Sequence, residues 1–463
     1  MTRHPPAACV LPGGALIYPK IHVAQGLVPA HKGLDYNFWA LPFLAGNMPI
    51  LLEFCFSSEV RLKSQFWWQR ADLRYLNDHL HFAQQDLYPF ASQTGTPAFV
   101  YSAERVRENL ERLRNALAHP VYPPPIPFKI FYALKANRFL PLITALKQWG
   151  LCGIDACSPG ELLLARQVGF AEEEISYTGT SVSNADLDVL QQHPRVHVNC
   201  DALSTIRRLG ERCPGRTIGI RINPQVGAGY NPELHYAGAK ATKFGIYQDR
   251  FVEAVELANK YNLKIKQLHF HFGSGYLTPQ LPQLKQALDR TDWFLDQCPD
   301  IDTLDIGGGM GVPISPDLAP LDLVQWSAII AQHVQGRNLT IHIEPGDYLV
   351  KDAGALLVQV NTVEEKGGTK FVGVNAGFNL QNLAVYYKTP FIVAPLLLNE
   401  NALTEPVTIA GNINEAIDLL AEEVWLPPLA EGDTLALLNV GGYGAASSSN
   451  HCMRGQFREY LLG

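Results

Sequence analysis

Hydrophobic and polar positions fall into two textures along the chain. Short apolar runs recur at 129–136, 152–158, 175–180, 196–201, 217–223, 265–272, 304–307 and 340–344, each followed by a stretch with helical spacing. Short runs alternating with helical patterns predict βα units, and runs apolar on both faces are those of parallel strands. Eight such units predict a closed (β/α)8 TIM barrel, an α/β fold; the rival, a doubly wound open sheet, seldom has so many. Ahead of them Ser102 stands where a helix N-cap is needed, and Val106, Leu110, Leu113 and Leu117 mark one helical stripe that the proline-rich run 121–127 ends.

Beyond Gly346 the texture changes to alternating runs, 355–363 and 371–374, separated by Lys366-Gly367-Gly368, which reads as a hairpin in a mostly β domain. Residues 96–101 also look like a strand. The expected organisation is therefore an extension of unknown role over 1–60, a segment 61–102 joining the β domain, a barrel over 103–345, and a C-terminal β domain over 346–463. The stretch 38–58 is apolar but carries Pro42, Gly46, Asn47, Pro49 and Glu53, which makes it a poor membrane span, and nothing resembles a secretory signal.

Composition narrows the class. A hydrophobic share of 47% with 17% charged residues is that of a folded soluble protein, and a net charge of -7 disfavours a nucleic-acid partner. Eight cysteines scattered over such a length do not form a disulfide framework, and Cys152 with Cys157 lacks further zinc ligands, so reduced thiols, a cytoplasmic location and no metal are expected.

Barrel chemistry gathers where strands run out into the βα loops, and several unusual residues stand there. Lys135 closes the first run, where a buried amine can form a Schiff base with an aldehyde, although a lysine at a strand end is ordinarily a solvated charge. Gly307-Gly308-Gly309 follow the seventh run, where bare backbone N–H groups can approach a phosphate; a tight turn would explain them equally well. His271 can stack on a planar ring and Ser274 can meet a phosphate. Glu344, at the end of the eighth run, can keep a pyridine nitrogen protonated, or be an ordinary carboxylate before a turn.

In order, Tyr132-Ala-Leu-Lys135-Ala-Asn137, Asp155-Ala-Cys-Ser-Pro-Gly-Glu161, Arg221-Ile-Asn-Pro224, Lys243-Phe-Gly-Ile246, His271-Phe-Gly-Ser274, Gly307-Gly308-Gly309, Glu344-Pro-Gly346, Glu415 to Asp418 and Gly442-Tyr443-Gly444 resemble the motifs of one family. This is the alanine racemase-fold decarboxylases, which act on diaminopimelate, ornithine, arginine and carboxynorspermidine, and the resemblance runs from Thr96 to Leu462. It implies pyridoxal 5'-phosphate as cofactor and a small amino-acid substrate. Lys135 would bond to the cofactor aldehyde, His271 would stack on its ring and Glu344 would pair with its nitrogen. Ser274, Gly307, Gly308, Gly309 and Tyr443 would hold the phosphate, Arg221 would lie near the phenolic side, and Asp155 and Glu161 would orient Lys135. The family also implies a head-to-tail homodimer in which Asn414, Glu415 and Asp418 reach the partner's site.

Three positions depart from the family pattern. Asn414 stands where a proton-donating Cys is usual, and an amide is no general acid at neutral pH, so the proton must come from Lys135, a water or a group such as His451. Asp347 replaces an Arg, and the segment 375–384 around Asn382 lacks another. Two missing arginines argue against a distal carboxylate, and Asp347, Asn382, Glu415, Asp418 and Tyr443 then become the candidate substrate contacts. The expected activity is decarboxylation of a basic or specialised-pathway amino acid rather than diaminopimelate. The alternatives are a racemase or epimerase, which Asn414 favours and Glu344 opposes, and a catalytically impaired regulatory relative.

Overall fold

The computed structural model describes residues 66–119, 125–238, 240–399 and 402–463, and the expected extension over 1–60 lies outside the described residues. Eight parallel strands close into a barrel in chain order: Phe128–Ala133, Gly153–Ala156, Ile175–Tyr177, His197–Cys200, Thr217–Arg221, Lys264–His269, Thr303–Asp305 and Thr340–Ile343. Each apolar run overlaps one of these strands, and the barrel is the expected one. Several strands stop short of their runs. The first ends at Ala133 and the sixth at His269, so Lys135 and His271 sit on loops. Hydrophobicity cannot mark those ends, because Leu134, Phe270 and Phe272 stay buried after the ladder stops.

The lumen departs from the expectation of strands apolar on both faces. Asn199, Gln267, Asp305, His269 and Glu344 are buried inside it and bonded to one another: Gln267 Nε2 donates to Asn199 Oδ1 at 2.9 Å and to Asp305 Oδ2 at 3.3 Å. A Cβ on Gly219 would lie 2.0 Å from Asn199 Oδ1, so this strand position must stay bare for the network to form. Hydrogen bonds among these buried groups offset much of the cost of placing them there, although His269 Nδ1 has no partner among the described residues.

Outside the barrel, helix Ala103–Ala118 starts where Ser102 accepts the Arg105 N–H, and it buries Val106, Leu110, Leu113 and Leu117 completely. Each of these side chains contributes about 1.5–3 kcal/mol by leaving water. The β domain is organised by the long strand Gly354–Lys366, which pairs antiparallel with Thr434–Leu438 and Thr369–Val374. Its turn, Gly367-Gly368, has both φ values positive, as a two-residue hairpin needs. Ala98–Ser102, fully buried, pairs with the start of the same strand and runs parallel to Arg458–Leu462. Arg105 clamps Asp352 at 2.6 Å and Arg70 donates to the Asp352 carbonyl at 2.6 Å, which ties the N-terminal segment to the junction between barrel and β domain.

Candidate active site

Lys135 leaves the barrel on the loop after the first strand, and its ammonium donates to Asp155 Oδ2 at 3.0 Å from the end of the second. Asp155 is 1% exposed while about a third of the lysine side chain, 36%, is open. Burial alone would lower the amine's pKa, but the Asp155 and Glu344 charges more than reverse this and hold it raised. Burial and Glu344 push Asp155 up to about 7 against the pull of Lys135. Asp155 Oδ1 has no hydrogen-bond partner. The loop is fixed from the β domain: Asn137 Nδ2 donates to the Gly441 carbonyl at 2.9 Å and Tyr443 N–H donates to the Ala136 carbonyl at 2.7 Å. Glu161 accepts the Cys157 N–H at 2.8 Å, so it fixes the second loop without a direct bond to Lys135.

Across the barrel mouth, Glu344 is 5% exposed and accepts from Ser176 Oγ at 2.9 Å, with His269 Nε2 at 3.1 Å from its other oxygen. Burial would raise its pKa, yet His269, Lys135 and Ser176 together hold it well below the usual carboxylate range. Asp305, crowded within 4.8 Å of Glu344 and His269, is pushed well up by burial and by Glu344. Glu344 is thus the carboxyl kept charged. Neither Ser176 nor His269 was singled out from the sequence. The available signal was strand alternation, which turns Gln267 and His269 to the same face of the sixth strand.

His271 is neutral, because burial pushes its pKa well below the ordinary value with Lys135 and Arg221 adding to it, and its Nδ1 is unpartnered. Tyr236 packs edge-on against it with ring centroids 4.9 Å apart. The glycine loop presses against this wall: a Cβ on Gly309 would lie 1.9 Å from the Gly273 carbonyl, and one on Gly308 2.1 Å from the Glu344 carbonyl. Gly307 and Gly309 have φ of +66 and +92, which glycine alone adopts freely. Gly307 N–H donates to Asp305 Oδ1 at 2.9 Å. Arg221 is 6% exposed, lies over the Phe244 ring at 4.6 Å, and makes no side-chain hydrogen bond among the described residues.

Beside this wall lies a cavity of about 120 Å³, lined among others by Tyr236, Ser274, Asp347, Lys351, Asn382 and Tyr443. Four of these, Ser274, Asp347, Asn382 and Tyr443, were candidates from the sequence, and they come together. Lys351 was not. Its ammonium lies 3.1 Å from Asp347 Oδ2, one helical turn along, with the lysine buried and the aspartate half-buried. Burial raises the Tyr443 pKa, keeping its phenol neutral.

The loop 411–418 is not brought to this cavity. Asn414 and Glu415 are exposed at its tip, where Glu415 Oε1 lies 3.4 Å from His451 Nε2. Asp418 is buried and accepts the N–H groups of Phe378 and Ile413, each at 2.7 Å, so within this chain its carboxylate fixes the base of the loop.

The donor set fits pyridoxal phosphate. An amine stands ready for an aldehyde, a charged carboxylate for a pyridine nitrogen, and an unpartnered ring with an unpaired guanidinium for the ring face and its oxygen. The loop glycines and Ser274 can take the phosphate, except for the Gly307 N–H, which departs from the expectation because Asp305 already holds it. Known proteins agree. The family described as pyridoxal-dependent decarboxylase, pyridoxal binding domain, matches residues 103–351. The diaminopimelate decarboxylase of Methanothermobacter thermautotrophicus is 35% identical over 400 residues, covering 83% of this chain and 90% of that protein. That of Aquifex aeolicus is 30% identical over 403 residues, covering 84% and 92%. The solved diaminopimelate decarboxylase of Methanocaldococcus jannaschii superposes with a TM-score of 0.77 at 25% identity, over 84% of this chain and 92% of the other. The amine, the charged carboxylate and the glycine cradle therefore sit in a chain that belongs to the pyridoxal-dependent decarboxylase family.

Proposed function

We propose that this chain removes a carboxylate from an amino acid whose far end carries both an amine and a carboxylate, the chemistry of diaminopimelate. The observation that carries the reaction type is Glu344, held charged by His269 and Ser176 opposite the Lys135–Asp155 pair. Pyridoxal phosphate, when bound, supplies an electron sink for the pair left behind by CO2. Glu344, held charged, would pair with the cofactor's ring nitrogen and keep it protonated, which would favour decarboxylation over racemisation. Asp155 orients the Lys135 amine and tunes its proton. His271, neutral and held edge-on by Tyr236, would give one wall of the ring slot, and Arg221 would supply a fixed positive charge inside it.

Support for the substrate comes from relatives named diaminopimelate decarboxylase and from the cavity beside Ser274. Sequence motifs alone favoured a different substrate, because Asp347 stands where an arginine is usual and the segment 375–384 lacks another. That argument weakens once Lys351 supplies a buried cation in the same cavity. The exposed tip Asn414–Ile417, with Tyr386 and Met453 also exposed, supports a homodimer in which the tip enters a second copy's site.

The test is CO2 release from the three stereoisomers of diaminopimelate, lysine, ornithine and arginine, with optical inversion followed in parallel. Release from diaminopimelate alone is expected. Inversion without CO2, or release from arginine or ornithine instead, refutes the proposal.

A further inference from the structure

The pair of half-buried Asp347 and buried Lys351 has unspent hydrogen-bonding capacity of both signs. Lys351 has three N–H donors and its ammonium lies 3.1 Å from Asp347 Oδ2 and 5.4 Å over the Tyr230 ring centroid. Asp347 Oδ1 is shielded from solvent and has no hydrogen-bond partner among the described residues. A pair retained for stability alone would complete those bonds, because an incompletely satisfied buried ion pair is no better than well-packed apolar side chains. Both residues line the cavity next to Ser274 and Tyr443, and both are held rigidly. The Lys351 carbonyl accepts the Gly441 N–H at 3.1 Å. Asp347 Oδ1 fills space that a side chain at Gly442 would take, since a Cβ there would lie 2.5 Å from it. Tyr230, under the ammonium, is locked by donating to the Val312 carbonyl at 2.7 Å and accepting its N–H at 2.8 Å.

We infer that Lys351 is a specificity-determining residue that binds the far carboxylate of the substrate, while the free oxygen of Asp347 takes the neighbouring ammonium. This rests on the cavity being the site of the substrate's far end. A zwitterionic end is neutral overall and offers an acceptor to Lys351 and a donor to Asp347 at once. A phosphate dianion offers acceptors only, and Asp347 would repel it. The pair thereby replaces one arginine with a two-point contact of defined handedness.

The experiment uses the cofactor-loaded full chain and pimelate, the dicarboxylate of diaminopimelate without its amines, titrated by calorimetry. Lys351→Met is expected to weaken pimelate about 10- to 100-fold, the worth of a charge-assisted hydrogen bond, while Asp347→Asn, which removes a neighbouring negative charge, leaves pimelate binding as tight as in the wild type or tighter. With diaminopimelate, both variants are expected to raise KM by a similar factor with kcat within about threefold, the sign of binding lost equally in ground and transition states. Cofactor affinity of the apo protein, compared for pyridoxal phosphate and unphosphorylated pyridoxal, reports folding and the competing source of the anion. Unchanged affinities for both are expected. If Lys351→Met weakens the phosphorylated form alone, the cation serves the cofactor phosphate and the inference is overturned. Unchanged pimelate affinity overturns it as well. If Lys351→Met does not fold, Lys351→Gln, which keeps polar donors but no charge, gives the same comparison. Should the wild type release no CO2 from diaminopimelate, the proposed reaction fails, yet the pimelate titration still decides the role of Lys351.

Discussion

Replacing Asp155 with Asn tests the electrostatics around Lys135 most directly, because it removes one charge and keeps the shape. The ammonium lies 3.0 Å from the carboxylate. At an effective dielectric constant of about 20, a pair at that distance is worth about 5–6 kcal/mol. Since 36% of the lysine side chain is open, solvent screening must be discounted, leaving about 1–3 kcal/mol. That corresponds to a fall in the amine's pKa of about one to two units. The raised pKa keeps nearly all of the wild-type amine protonated, and only the neutral form attacks an aldehyde, so the reactive fraction should grow about 10- to 100-fold in the variant at about pH 8. The working pH matters. Asp155 itself is pushed up to about 7, so below that the wild-type carboxylate is partly protonated and the two proteins should converge. The assay mixes apo protein with pyridoxal phosphate in a stopped-flow instrument and follows the colour of the Lys135 adduct against pH, with borohydride trapping to confirm the attachment point. Superimposable pH–rate profiles for wild type and Asp155→Asn would show that the charge is not what holds the lysine protonated.

Three further outcomes follow from the same geometry. Glu344→Gln should lower kcat for CO2 release by about 10²–10³, the usual cost of removing one charge-stabilising group, while the apo protein still binds the cofactor by absorbance titration. Gly309→Ala should cost about 2–5 kcal/mol in chemical denaturation, combining a positive φ with a Cβ only 1.9 Å from a backbone carbonyl; an unchanged midpoint would mean the loop moves freely. Asp418→Asn keeps one acceptor for the two N–H groups it now serves and should destabilise by about 1–3 kcal/mol, with loop 411–418 exchanging amide hydrogens faster.

What was legible in the sequence followed from period and end effects. Barrel strands are bracketed by helices, so an apolar run such as 175–180 stands out even though its strand is only Ile175–Tyr177. The lumen was illegible for the converse reason. Gln267 reads as a polar interruption in an apolar run, and only the register of neighbouring strands puts Asn199 and Asp305 within hydrogen-bonding distance of it. Ser176 and His269 belong to the same class. They lie 168 and 75 residues from Glu344, and pattern in a single chain carries no information about a contact at that separation.

Position 347 shows a second kind of blindness, in which a motif is read column by column. Asp for Arg looks like a reversal of charge, from which the loss of an anion site seems to follow. In a helix, however, residues i and i+4 share a face, so the charge that matters at this wall is that of positions 347 and 351 taken together. Asp347 with Lys351 is neutral and has donors and an acceptor to spare, where a lone aspartate would be an uncompensated anion at this wall. Lys351 is buried and Asp347 half-buried, so the pairing offsets the cost of keeping an ammonium out of water. A substitution in a functional motif is therefore read together with its helical neighbour, and in this chain that neighbour removes the charge argument drawn from Asp347 against a distal carboxylate.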